Sequence, residues 1–200
     1  MDYAFFAMIS RLRWIDRWAL MRNSDNENLS EHSLEVAILS HALATIGNKK
    51  LGKSLNAEKA ALFGLYHDVS EILTGDMPTP VKYHNAGIRR AFGEIETAAQ
   101  QTILDTLPED IRDEFAPLIC PDETDELYKL VKAADKLSAL LRGKYERFKE
   151  LMAKKDVTDE DMREISQLEV FLDEIPDYLA LDISTEYERM KSEFEAREDL

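Results

Sequence analysis

The sequence predicts an all-α protein, a single-domain helical bundle, on three observations. Apolar residues recur at helical spacing along almost the whole chain. No stretch alternates apolar and polar residues as a half-buried strand would. No repeat, low-complexity tract or Gly/Ser linker divides the 200 residues, a length that suits one domain with a proper core.

A first helix is expected over about residues 4–21. Ser30 suits the N-cap of a second, which carries Leu34, Ile38, Leu39, Leu43 and Ile46 before Gly47 stops it. Asn56 suits the cap of a third, running through "AEKAALFGLYHDVSEILT" to Gly75. The next stretch, "GDMPTPVKY", has two prolines and a glycine and is expected to be a rigid loop. Helices follow over about 84–106 and 123–149. Two more, near 158–173 and 177–197, are amphipathic and strongly charged, and runs such as Thr158-Asp159-Glu160-Asp161 are expected to be solvated faces. The bundle proper thus covers about residues 5–150, with a charged helical segment over about 151–200.

Twenty-five Lys and Arg against forty Asp and Glu give a net charge of -15. Such a surface argues against broad basic patches for duplex DNA, other nucleic acid polymers or an anionic membrane. It leaves room for a small anionic substrate, because a metal or one arginine can reverse the sign locally. The single cysteine, Cys120, excludes an intramolecular disulfide and a Cys-based zinc site. No apolar run approaches the roughly 20 residues needed to span a bilayer. Arg11, Arg13, Asp16 and Arg17 interrupt the apolar N-terminus, which reads as no signal peptide, so the expected location is the cytoplasm.

Four histidines are present: His32, His41, His67 and His84. At about 100° per residue, His32 shares a helix face with Val36, Leu39 and Leu43, whereas His41 is turned about 180° away. His41 and His84 are expected at the surface. His67 sits among Leu62, Phe63, Leu65, Val69 and Ile72, directly beside Asp68. Asp135 interrupts the apolar run "LVKAADKLSALL". Burying such groups costs free energy unless each has a partner. Two buried His–Asp ion pairs would satisfy them, and so would one metal ion. Imidazole with carboxylate suits a divalent transition metal better than calcium. Four protein ligands on an octahedral ion would leave two positions for water and a substrate oxygen, an arrangement for hydrolysis.

In this order His32, His67-Asp68 and Asp135 resemble the H…HD…D signature of the HD-domain phosphohydrolases. The resemblance extends to the YfbR-like 5′-deoxynucleotidases through "SRLRWIDRWALMRN" (10–23), "NLSEHSLEVA" (28–37), "YHDVSEILTGDMPTPVKY" (66–83) and "VKAADKLSALL" (131–141). It spans about residues 5–141. It implies an HD-type bundle that hydrolyses deoxyribonucleoside 5′-monophosphates to deoxynucleoside and phosphate with one divalent metal ion. Cobalt, manganese, magnesium and zinc all stay open. It further implies that His32, His67, Asp68 and Asp135 hold the metal, that Glu71 is the catalytic carboxylate and that Arg17 orients the phosphate. Trp18 then shapes the sugar pocket. Asp76, Met77, Pro78 and Thr79 hold the nucleotide, with Asp76 reaching a sugar hydroxyl. A homodimer is implied as well.

The chemistry agrees with these roles. Glu71 lies four residues after His67, one helical turn, so both are expected to project from the same helix face, and its carboxylate can orient or deprotonate a water. Arg17 offers a planar fork for phosphate oxygens. Two rivals remain. An HD-type deoxynucleoside triphosphohydrolase, acting for example on dATP, could share the same ligands, although no added cluster of Lys and Arg is present to hold three phosphates. A non-catalytic nucleotide-binding module is the other, and the intact ligand set with Glu71 argues against it.

Overall fold

The computed structural model describes residues 4–18 and 26–167. Among these, α1 (Phe5–Ile9) runs into a 3-10 turn (Ser10–Trp14) and is followed by α2 (Leu29–Lys50), α3 (Ala57–Tyr66) and α4 (Glu71–Thr74). Then come α5 (Thr79–Lys82), α6 (Ala86–Asp105), α7 (Glu109–Ile119) and α8 (Glu126–Met152). The described residues contain no strand, only an isolated bridge between Asp16 and Asn28.

Caps explain most of the boundaries. Asn28, two residues before the expected Ser30, starts α2 with a full capping box in which its side chain accepts from Ser30 and Glu31 N–H and Glu31 reaches back. Asn56, Asn85 and Asp125 cap α3, α6 and α8, each side chain accepting one N–H of the first turn. Gly47 does not end α2. It is buried, with the side chains of Leu55 and Lys53 over it. The left-handed φ of 65° at Gly52, just beyond the C-cap Leu51, makes the stop.

Two expected helices break. The first ends at Trp14, because Ile15 turns extended and pairs Leu29 N–H with its carbonyl at 3.0 Å; residues 19–21 of that expected helix lie outside the described residues. The third breaks at His67, where residues 67–70 form a tighter turn held by i to i+3 hydrogen bonds before α4 begins. The "GDMPTPVKY" loop contains the single-turn helix α5. Residues 107–122, to which the sequence reading assigned no element, hold α7, hidden by its dense charge and by Pro108 and Pro117. Residues 159–167 are helical; the segment expected over 177–197 lies outside the described residues. Asp161 is an exception to the solvated run, being buried and bonded to Thr158 and Lys154.

Three long elements, α2, α3 and α8, share one core of Val36, Leu39, Leu43, Ala60, Phe63, Val131, Ala134 and Leu137. A second core, with Phe5, Leu12, Leu29, Val69, Ile72, Ile103 and Ile119, lies under α1, α4, α6 and α7. His32 falls between Leu29 of one and Val36 of the other, and His67 and Asp68 fall between Phe63 and Val69. The polar centre therefore sits where the two cores meet.

Gly64 sets how closely α3 approaches α2. A Cβ there would lie 2.6 Å from Ala37 Cα and 2.8 Å from Ala37 N. Gly64→Ala is expected to cost about 2 kcal/mol net, since overpacking against backbone outweighs the gain of about 1 kcal/mol in helix propensity. The melting temperature by circular dichroism should fall by about 4–8 °C. An unchanged value would mean that the two helices separate at no cost.

Candidate active site

Two helices and a turn deliver the four predicted ligands to one point. His32 comes from the first turns of α2, Asp135 from the middle of α8, and His67 and Asp68 from the turn that follows α3. One donor atom from each lies within 4.8 Å of all the others. His32 Nε2 is 3.1 Å from Asp135 Oδ1 and 3.5 Å from Asp68 Oδ2; His67 Nε2 is 2.9 Å from Asp68 Oδ2 and 3.9 Å from Asp135 Oδ1.

Despite these short distances, neither Nε2 is in hydrogen-bonding geometry, and both are buried. All four donor atoms lie within 4.8 Å of one another and each imidazole faces both carboxylates, the arrangement one shared cation requires. Two imidazole nitrogens and two carboxylates fit a divalent transition cation in kind and number. Without such a cation, protons balance the charge. Burial opposes a charged His67, but Asp68 and Asp135 outweigh it and push its pKa up to about 10. Burial likewise works against ionised Asp68, yet His67 and His32 hold it well below the usual carboxylate range.

Glu71 is buried and its Oε2 has no hydrogen-bond partner. Because the helix breaks at His67, Glu71 opens α4 and does not continue the same helix face, which corrects the expected i,i+4 geometry. It still borders the cluster. Burial first, then the charges of Asp68 and Asp76, raise it to about 9, against the pull of Arg17 and Lys82.

Arg17 and Trp18 stand on the extended stretch after the 3-10 turn. Arg17 N–H donates to the Glu27 carbonyl at 2.9 Å. Glu27 Oε2 accepts from Arg17 Nη1 at 3.3 Å and from Trp18 Nε1 at 2.6 Å. Arg17 Nε is buried without a partner. Trp18 adopts φ of 64°, a strained value for a bulky residue. Its N–H donates to Asp76 Oδ2 at 3.3 Å, so Asp76 closes against the N-terminal stretch across the cluster. Met77 and Pro78 are half-buried behind it, and Thr79 is exposed at the start of α5. Lys82 is taken by Glu96 at 2.7 Å and lies over Phe92. His41 and His84 are exposed, as expected.

The sequence reading missed Glu27, Lys132, Glu35 and Ser138. Glu27 is 4% exposed, and one of its oxygens anchors both Arg17 and Trp18. Lys132, three residues before Asp135 on α8, is near enough for the Asp68 and Asp135 charges to hold its ammonium above its usual range against the effect of burial. Its i−3 spacing from Asp135 was a usable signal. Glu27 carried none, because its partners lie across a bridge that periodicity does not reveal.

The fold is the one that solved HD-domain phosphohydrolases share. An HD-domain phosphohydrolase of Listeria innocua superposes with a TM-score of 0.65 at 24% identity, covering 94% of this chain and 98% of that one. The cyanophage S-2L HD phosphohydrolase DatZ, bound to dA and one catalytic Zn2+ ion, gives 0.53 at 22% identity, covering 92% and 96%. Within that class, the chain belongs to the YfbR-like 5′-deoxynucleotidase family, whose pattern matches residues 4–179. Relatives named 5′-deoxynucleotidase YfbR, from Shigella flexneri and from Escherichia coli (strain K12 / DH10B), are 57% and 56% identical over 141 residues, 69% of this chain and 70% of theirs.

Proposed function

We propose that this protein is a 5′-deoxynucleotidase, a divalent-metal-dependent phosphohydrolase converting deoxyribonucleoside 5′-monophosphates to deoxynucleoside and phosphate. Family membership supports the activity. One structural observation carries the mechanism: of the eight buried side-chain polar atoms without a hydrogen bond among the described residues, four, His32 Nε2, His67 Nε2, Arg17 Nε and Glu71 Oε2, belong to residues of one site. Native proteins rarely leave such atoms unsatisfied, and a ligand is the ordinary reason.

In this reading His32, His67, Asp68 and Asp135 hold the ion. When bound, a divalent cation neutralises phosphate charge, acidifies a nearby water and draws Glu71 toward its ionised form. Arg17, steadied by Glu27, takes phosphate oxygens. Ionised Glu71 accepts the proton of the attacking water as its oxygen bonds to phosphorus, and returns a proton to the departing 5′ oxygen as the P–O bond breaks. Asp76 accepts from the sugar 3′-hydroxyl, and Met77, Pro78 and Thr79 border the nucleoside. Trp18, fixed by Glu27, walls the sugar and disfavours a 2′-hydroxyl.

The same reading places the enzyme in the cytoplasm as a homodimer. No helix among the described residues is long and apolar enough to cross a membrane. Leu34 and Ile38 on α2 and Leu62 and Leu65 on α3 are exposed and give an apolar surface for a second copy.

The test is phosphate release from dAMP, dTMP, AMP and dATP after metal stripping and readdition. Metal-dependent phosphate from dAMP and dTMP, with AMP at least tenfold slower, is expected. Equal rates on AMP and dAMP would remove Trp18's part in sugar selection. Triphosphate released from dATP alone would replace the monophosphatase reading, and nucleotide binding without turnover at any metal would leave a binding module.

A further inference from the structure

The two histidines of the cluster are oriented by different means. His67 Nδ1–H donates to the Gly64 carbonyl of its own helix at 2.8 Å. His32 depends on side chains from two helices. Ser138 Oγ lies 3.3 Å from His32 Nδ1, and the same hydroxyl donates to Glu35 Oε2 at 3.0 Å. A serine hydroxyl has one proton. With that proton on the carboxylate, Oγ can only accept from His32. Nδ1 therefore carries an imidazole hydrogen, which leaves Nε2 as the nitrogen available to a cation held beside Asp68 and Asp135.

We infer that Ser138 and Glu35 are positioning residues of the metal centre, a relay that selects the ligating tautomer of His32 and fixes its ring. The spacing is matched on the two helices. Glu35 follows His32 by three residues on α2, and Ser138 follows Asp135 by three on α8, so each pair shares a helix face. The relay thus ties together the helices that contribute His32 and Asp135. Ser138 is fully buried, so bulk water does not replace a deleted hydroxyl. Neither residue needs to touch the ion. Partners of this kind orient the ligand and raise its basicity, and their loss weakens metal binding about 10–100-fold.

The inference rests on the metal centre and is independent of which nucleotide is the substrate. Its test is calorimetric titration of Co2+ into the metal-stripped full chain, comparing wild type, Ser138→Ala and Glu35→Ala. Both variants are expected to bind Co2+ about 10–100-fold more weakly, while the metal-free melting temperature of Glu35→Ala stays close to wild type. Phosphate release should recover as Co2+ is raised. Glu35→Ala is the decisive variant if Ser138→Ala folds poorly, because Glu35 is only half-buried and alanine suits a helix. Wild-type Co2+ affinity in Glu35→Ala would overturn the relay. Absence of Co2+ binding in wild type would overturn the metal centre and the relay with it.

Discussion

Asp68→Ala is expected to lower phosphate release from dAMP by about a thousandfold or more. The carboxylate stands between both imidazoles, 2.9 Å from His67 Nε2 and 3.5 Å from His32 Nε2. Its loss removes one of the four proposed ligands and half of the carboxylate charge in the cluster. A bound metal contributes several kcal/mol of transition-state stabilisation, and each 1.36 kcal/mol is about tenfold in rate. Metal content measured by mass spectrometry after dialysis should fall together with the rate. A variant that keeps both its metal and its activity would remove Asp68 from the ligand set and revive the paired His–Asp interpretation.

Glu71→Gln is expected to abolish most turnover and to stabilise the metal-free protein, two effects in opposite directions. A positioned general base contributes about 10²–10⁴-fold, and glutamine cannot accept the proton. Stability follows from linkage. In the folded metal-free chain, burial and the charges of Asp68 and Asp76 raise Glu71 to about 9, while unfolded it titrates near the ordinary value of 4.5. Between those limits the folded state holds a proton that the unfolded state has released. The Glu71 contribution is therefore complete below about pH 4.5 and is lost as pH rises toward 9. Glutamine stays neutral and carries no such loss. At pH 8 the metal-free variant should melt several degrees above wild type, 1 kcal/mol being worth about 2–4 °C in a protein of this size. The two should converge near pH 5. Equal melting temperatures at pH 8 would show that Glu71 is ionised without metal, and full activity would take it out of the chemistry.

If both results hold, activity is bought with stability at this position, where a buried carboxylate has no hydrogen-bond partner on one oxygen. Trp18, with its left-handed φ, is a second strained residue at the same site, held by Glu27 and Asp76.

The helical class was legible because amphipathic periodicity is local, and Asn56 marked a true cap because capping uses only neighbouring N–H groups. The breaks were less visible. At His67 the chain changes from i+4 to i+3 hydrogen bonds while the apolar residues continue unbroken, so the pattern alone shows one long helix. Gly47 read as a stop because glycine permits one, whereas packing of Leu55 over it keeps it helical, and Gly52 supplies the turn.

By itself the sequence determined which side chains are chemically out of place: His32, His67, Asp68 and Asp135 on apolar helix faces, with Glu71 close by. That much follows from composition and from the cost of burying polar groups. Tertiary structure alone decided that these donors converge on one point, that Glu27 bonds Arg17 and Trp18 ten and nine residues away, and that Ser138 meets a histidine 106 residues away. Hydrogen bonds act over about 3 Å in space and leave no trace in spacing along the chain once their partners lie on different helices.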